Sequence, residues 1–120
     1  MKEEKSIILE RSVQYSLKAI KLYRELKKDS VGQIIGKQLL RSSTSIGANV
    51  HEAQGAQSKK DFIAKMSISH KEARESAYWL RIIKDSKILP YNKIKQIIDE
   101  TNQIIKILSS ILITSKKSNS

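Results

Sequence analysis

No cysteine occurs among the 120 residues, which excludes a disulfide framework and any thiolate metal site. One proline and four glycines leave little room for long coil segments. With one Phe, one Trp and four Tyr, the core must be aliphatic, and isoleucine is its main material. No run approaches the roughly 18 unbroken apolar residues that a membrane span needs. The opening MKEEKSIILE places acids before a very short apolar run, unlike a signal peptide. The expectation is a soluble, cytoplasmic protein with no membrane partner. Its length suits one domain with a real core and is too short for two.

Positive charge is what the chain has in excess. The formal net charge is +11, made of +3 over 1–29, +1 over 30–57, +4 over 58–90 and +3 over 91–120. Such a spread favours a polyanionic partner, usually nucleic acid. A Lys- and Ile-rich composition also arises from AT-rich coding sequence, so charge alone does not decide.

Helical periodicity covers most of the chain. Over 5–28, Leu9, Val13, Leu17 and Ile20 form one stripe, and Tyr15, Ala19, Leu22 and Leu26 an adjacent one. Asp29-Ser30 supplies a stop and a new N-cap. Over 58–86, Ser58 is a good N-cap with Asp61 three residues on, and Phe62, Met66, Ser69, Ala73, Ala77 and Leu80 mark the buried side. The stretch KILP, 87–90, breaks that helix. Over 92–114 the pattern is cleanest: Ile94, Thr101 and Leu108; Ile97, Ile104 and Ile111; Ile98, Ile105 and Leu112, each set seven apart.

The stretch LLRSSTSIGANVHEAQG, 39–55, looks like a loop by composition and is not one by period. Val31, Ile35, Leu39, Ser42, Ile46, Asn49 and Ala53 hold helical spacing straight through it, and Gly32, Gly36, Ser43 and Gly47 lie on a neighbouring line. Glycine inside a helix costs about 1 kcal/mol relative to alanine, so this line reads as a ridge for close helix packing. The prediction is an all-α, up-down-up-down antiparallel four-helix bundle. It forms one domain over 1–114, with helices over about 5–28, 30–55, 58–86 and 92–114. A polar, disordered tail follows over 115–120.

The middle of the chain resembles the bacterial four-helix-bundle family named for the 23S rRNA intervening sequence. The matching residues are Arg41, Ser45, Ile46, Asn49, Glu52, Ser58, Asp61, Phe62, Glu72 and Glu75, with Tyr78-Trp79-Leu80 as in one subgroup. The match spans about 10–112. It departs where Glu52 is followed by Ala53, with glycine only at Gly55, where many relatives have Glu-Gly. The resemblance implies a left-handed bundle, a homopentameric ring and no enzymatic activity. A distant relative, the accessory protein of diversity-generating retroelements, binds a reverse transcriptase and nucleic acid through a basic surface.

The polar residues of that pattern, Arg41, Asn49, Glu52, Glu72 and Glu75, read first as a structural network fixing helix register. In an antiparallel pair joined near residue 56, position 41 faces the low seventies, within reach of Glu72 or Glu75. A di-iron site needs Glu-x-x-His pairs, and neither Glu52, Glu72 nor Glu75 has a histidine three residues on. No metal, cofactor or catalytic residue is expected, and no G-x-S-x-G elbow or phosphate-cradling glycine loop occurs. Two basic lines are the functional lead: Arg11, Lys18, Lys21 and Lys28 on the first helix, and Lys60, Lys71, Arg74 and Arg81 on the third. In a monomer these are ordinary solvated faces; repeated around a ring they become a basic annulus. Three functions compete. The first is an oligomeric bundle binding RNA or DNA by charge, as an accessory to a larger nucleic-acid enzyme such as a reverse transcriptase. The second is a protein-interaction scaffold, and the third an enzyme built on the three glutamates. Tyr78, Trp79 and Ile83 are the sequence's candidates for a subunit contact.

Overall fold

The computed structural model describes residues 2–117. They form four helices: α1 (Lys2–Leu26), α2 (Ser30–Gln54), α3 (Lys59–Ser86) and α4 (Tyr91–Lys117). Each packs on its chain neighbours and α4 closes on α1, giving an up-down-up-down bundle of 49 × 21 × 19 Å. Connections this short leave antiparallel packing as the economical arrangement.

The helix ends follow from local chemistry. Asp29 caps α2 by accepting from the Gly32 amide at 2.8 Å. Ser58 caps α3 by accepting from the Asp61 amide at 3.0 Å, and the Asp61 carboxylate accepts from the Gln57 amide at 3.3 Å, one residue before the cap. Lys87 closes α3 in the left-handed region, φ 61°, a place usually taken by glycine. Pro90 precedes the first turn of α4, where its carbonyl accepts from the Lys93 amide at 2.9 Å.

The stretch 39–55 is helical up to Gln54, and the small-residue line that runs through it packs closely on α1. Gly32, Gly36, Ser43 and Gly47 are all buried. A methyl group added at Gly32 would lie 2.3 Å from the Leu26 carbonyl oxygen, and one at Gly36 would lie 2.9 Å from the Tyr23 ring. At Gly47 it would sit 3.3 Å from Ser12. The ridge therefore seats α2 on α1, at a separation that a larger side chain at these positions would enforce upward.

A band of hydroxyl groups crosses the middle of the bundle. Tyr15 of α1 meets Thr101 of α4 at 2.5 Å, and Ser42 and Ser43 of α2 meet Ser76 of α3 at 2.8 and 3.3 Å. Thr101 uses its one proton on the Ile97 carbonyl at 2.6 Å, so Tyr15 is the donor of the pair. Burial pushes the Tyr15 phenol up. Among the described residues no buried side-chain nitrogen or oxygen lacks a partner.

Several expectations are corrected. On α1 the buried line is Ile8, Ser12, Tyr15, Ala19, Leu22 and Leu26. Leu9 and Ile20 are half-buried, and Val13 and Leu17 are 39 % and 54 % exposed. Each corner helix touches only two neighbours, so a second full stripe has nothing to cover it. Helix α1 starts at Lys2 rather than 5 and ends at Leu26 rather than 28. Helix α4 runs on through Lys117, past the expected end at 114, because Ser115 still packs inward. Residues 118–120 of the expected tail lie outside the described residues. Ile83 is fully buried core rather than a surface candidate.

Candidate nucleic-acid interface

Helix α4 separates the two basic lines. Those of α1 fall on the α1–α4 seam. Arg11 bonds Gln103 at 2.7 Å and pairs with Glu100 at 3.2 Å. Lys18 and Lys21 border a groove of about 510 Å³ shared with Lys93, Gln96 and Ile97 of α4. Lys28 pairs with Glu25 at 3.1 Å, and this hydrogen bond holds the Glu25 carboxyl below its ordinary range.

Of the α3 line, Arg74 and Arg81 fall on the opposite side of α4. Arg81 borders a smaller cleft of about 150 Å³ with Ile98 and Asn102 of α4, and pairs with Asp85 at 3.3 Å. Arg74 stands near enough to the α4 C-terminus that it and Lys116 both act on His70. Burial is the first cause that lowers the pKa of that histidine, followed by those two cations. Lys60 and Lys71 are exposed on α3.

Pairing sorts these cations into two kinds. Arg11, Lys28 and Arg81 spend their charge inside the protein. Lys18, Lys21, Lys60 and Arg74 make no ion pair among the described residues; Lys71 makes none either, but its charge acts on the Glu75 carboxylate. Helix α4 itself adds Lys95, Lys106, Lys116 and Lys117, all exposed and likewise without an ionic partner there. Lys95, Lys106 and Lys117 are spaced eleven residues apart, about three turns each, so they share one face of α4 and their spacing alone marks them as a third basic line.

The polar pattern residues divide as well. Arg41 pairs with Glu72 at 3.1 and 3.3 Å and also with Glu75, joining α2 to α3. The Trp79 indole donates to Glu75 at 3.1 Å. That bond first, and Arg41 second, hold the Glu75 carboxyl below its usual range. The two carboxylates raise Arg41, Glu72 foremost. Asn49 and Glu52, expected in the same network, are not in it. The Asn49 amide donates to the Ser45 carbonyl of its own helix at 2.8 Å, and Glu52 is exposed near the far end of α2. They stand two and three turns along the axis from Arg41, too far for one cluster. No three His, Asp or Glu side chains among the described residues are placed to hold a metal ion.

A third surface belongs to α2, whose only full charges are Lys37, Arg41 and Glu52. Val31 and Ile34 stand exposed there, with Ile34 68 % exposed; on α3, Ile68 and Tyr78 are exposed. Tyr78 packs edge-on against the half-buried Trp79, with ring centroids 5.0 Å apart.

Comparison with known proteins places this geometry among relatives. A family model described as 23S rRNA-intervening sequence protein matches residues 4–110. A crystal structure from Bacteroides thetaiotaomicron, of a protein described as having unknown function and coming from the S23 ribosomal protein family, is similar along nearly the whole length. It shares 34 % identity, with 92 % of this chain and 98 % of that one covered, at a TM-score of 0.87. No curated protein matches the chain.

Proposed function

The chain belongs to the 23S rRNA-intervening sequence protein family, and from that premise we propose that it is a non-enzymatic, oligomeric bundle that binds RNA or DNA by charge through the surface around α4. The observation that carries this reading is the set of unpaired cations on both sides of α4. Ammonium and guanidinium groups that lack carboxylate partners are free to replace the counterions of a phosphate backbone. No groove-reading helix or aromatic platform accompanies them, so the binding is indifferent to sequence. Catalysis by the glutamates is disfavoured by the same geometry. Glu72 and Glu75 are tied to Arg41, and Glu75 is held ionised where a general acid would need a raised pKa.

Self-association is the second part of the reading. The charge-poor α2 surface, with Val31 and Ile34 exposed, is suited to meeting another copy. We take the left-handed bundle and the ring of five from the resemblance. A ring of this kind would repeat the α4 surface around its rim, and a larger nucleic-acid enzyme such as a reverse transcriptase would find both partners there. Light scattering tests the ring: the expected mass is about five times the 13.7 kDa of one chain.

Binding is tested by fluorescence anisotropy with a labelled RNA and a labelled single-stranded DNA over a salt series. The affinity should fall log-linearly with salt, with a slope of roughly −0.7 per phosphate contacted on a single strand. Failure to retain either nucleic acid at low ionic strength would refute the reading. A protein partner retained from nuclease-treated lysate at high salt, with no nucleic-acid binding, would support the scaffold function that the exposed α2 surface favours.

A further inference from the structure

The groove between α1 and α4 differs from the rest of the basic surface in having walls, a floor and a charge imbalance. Its volume of about 510 Å³ falls within the range of about 300–1,000 Å³ typical of small-molecule sites. Lys18 and Lys21 rise from α1 and Lys93 from α4. The first two have no ionic partner among the described residues, and Lys93 stands 4.0 Å from Glu25, at the limit of an ion pair. Glu25 is already engaged by Lys28 at 3.1 Å. Three lysines therefore line the groove with Glu25 as its one carboxylate, itself shared with Lys28, and that excess of positive charge favours an anion. Lysine ammonium groups act as point charges and suit phosphate oxygens from several directions. The floor is apolar, formed by the outer edges of Leu22 and Ile97, and Gln96 supplies an amide able both to donate and to accept. The cleft between α3 and α4 is smaller, about 150 Å³; its Arg81 is paired with Asp85 and its Lys84 sits over the Tyr91 ring.

Building on the charge-binding reading, we propose that this groove is a discrete site for one nucleotide unit, either a free nucleoside phosphate or one residue of a strand. The phosphate lies between Lys18 and Lys21. The sugar and base lie over Leu22 and Ile97, and Gln96 faces the edge of the base. Glu25, two turns along α1 from Lys18, repels a phosphate at that end and so sets the direction of the ligand.

The test is an amide-resolved NMR titration of the intact protein with adenosine monophosphate, inorganic phosphate and a short oligothymidylate. Adenosine monophosphate and the oligonucleotide should give saturable shifts confined to 18–25 and 93–97, with inorganic phosphate binding more weakly at the same amides. The double variant Lys18→Ala/Lys21→Ala should raise the nucleotide Kd by roughly tenfold or more, because two charge-assisted contacts are lost, while Lys37→Ala on α2 should not. Two results would overturn the site: non-saturating shifts scattered over every basic surface, or oligonucleotide binding that the double variant leaves unchanged. The second would leave charge-driven binding intact. Saturable nucleotide binding in the groove without retention of longer RNA or DNA would instead uphold the site and refute the broader reading.

Discussion

Gly32→Ala should be the most damaging glycine substitution in the protein, although it replaces the poorest helix former short of proline with the best. The added Cβ would lie 2.3 Å from the Leu26 carbonyl oxygen and 3.1 Å from Ile88 Cγ2. Restoring an ordinary contact requires a shift of about 1 Å, and the obstacle is backbone at the α1–α2 turn, which cannot rotate aside. Overpacking of this kind costs about 1–3 kcal/mol. The gain in helix propensity is at most about 1 kcal/mol and is smaller in the first turn of a helix. The net loss is about 1–2 kcal/mol. At an unfolding entropy of about 2.1 cal/mol/K per residue, that is a Tm drop of about 4–8 °C. Gly36→Ala meets a tiltable ring at 2.9 Å and should cost less, about 0.5 kcal/mol after the propensity gain. Gly47→Ala, with contacts of 3.3 Å, should come out near neutral. Gly55→Ala meets nothing closer than 3.7 Å at φ −97° and should be neutral or gain about 0.5 kcal/mol. Thermal unfolding of the four variants, followed by circular dichroism, gives the ranking. A Gly32→Ala protein that melts at or above the parent, or a Gly55→Ala protein that melts as low as Gly32→Ala, would refute the account of the ridge as a spacing device.

Other perturbations address separate contacts. The Glu75 carboxyl has its pKa depressed in the folded state, so its contribution is full above the unfolded value and is lost as pH falls through the folded one. Urea midpoints taken from roughly pH 6 to 3 should therefore fall more steeply for the parent than for Glu75→Gln, and parallel curves would contradict the assignment. Tyr15→Phe removes a donor while Thr101 keeps its bond to Ile97, so the loss should be about 1 kcal/mol. A loss above about 3 kcal/mol in chemical denaturation would mean that the phenol is the acceptor and Thr101 is orphaned. Lys87→Gly relieves a left-handed lysine and should raise stability by about 0.5–1 kcal/mol, with a higher Tm as the readout.

Helix α4 illustrates how much was legible from residue order alone. Of the nine positions at its heptad spacing, all but Ile98 and Ile105 are buried, and those two are half-buried. The α2 ridge was legible too, since three glycines in register have few uses other than close approach. The caps at Asp29 and Ser58 were readable because a cap depends only on neighbours within one turn. The bounds of α1 and the exposure of its Leu9-Val13-Leu17-Ile20 stripe were not legible, because apolar spacing says which residues could be covered and only the neighbouring helices decide which of them are.

Periodicity, capping residues, the absence of cysteine and the scarcity of proline and aromatic bulk by themselves determined four helices, their order and an aliphatic core, because each is a property of residues within a few turns of one another. What only the tertiary structure decided is which polar groups meet. Arg41 finds Glu72 and Glu75, but Asn49 and Glu52 do not join them. Arg11 is neutralised by Glu100 while Lys18 and Lys21 are left to face a groove. Pairing across helices depends on axial register and on which flank each side chain takes. Residue spacing along one helix carries neither, so charge on this chain became a surface with sides only when α4 closed between α1 and α3.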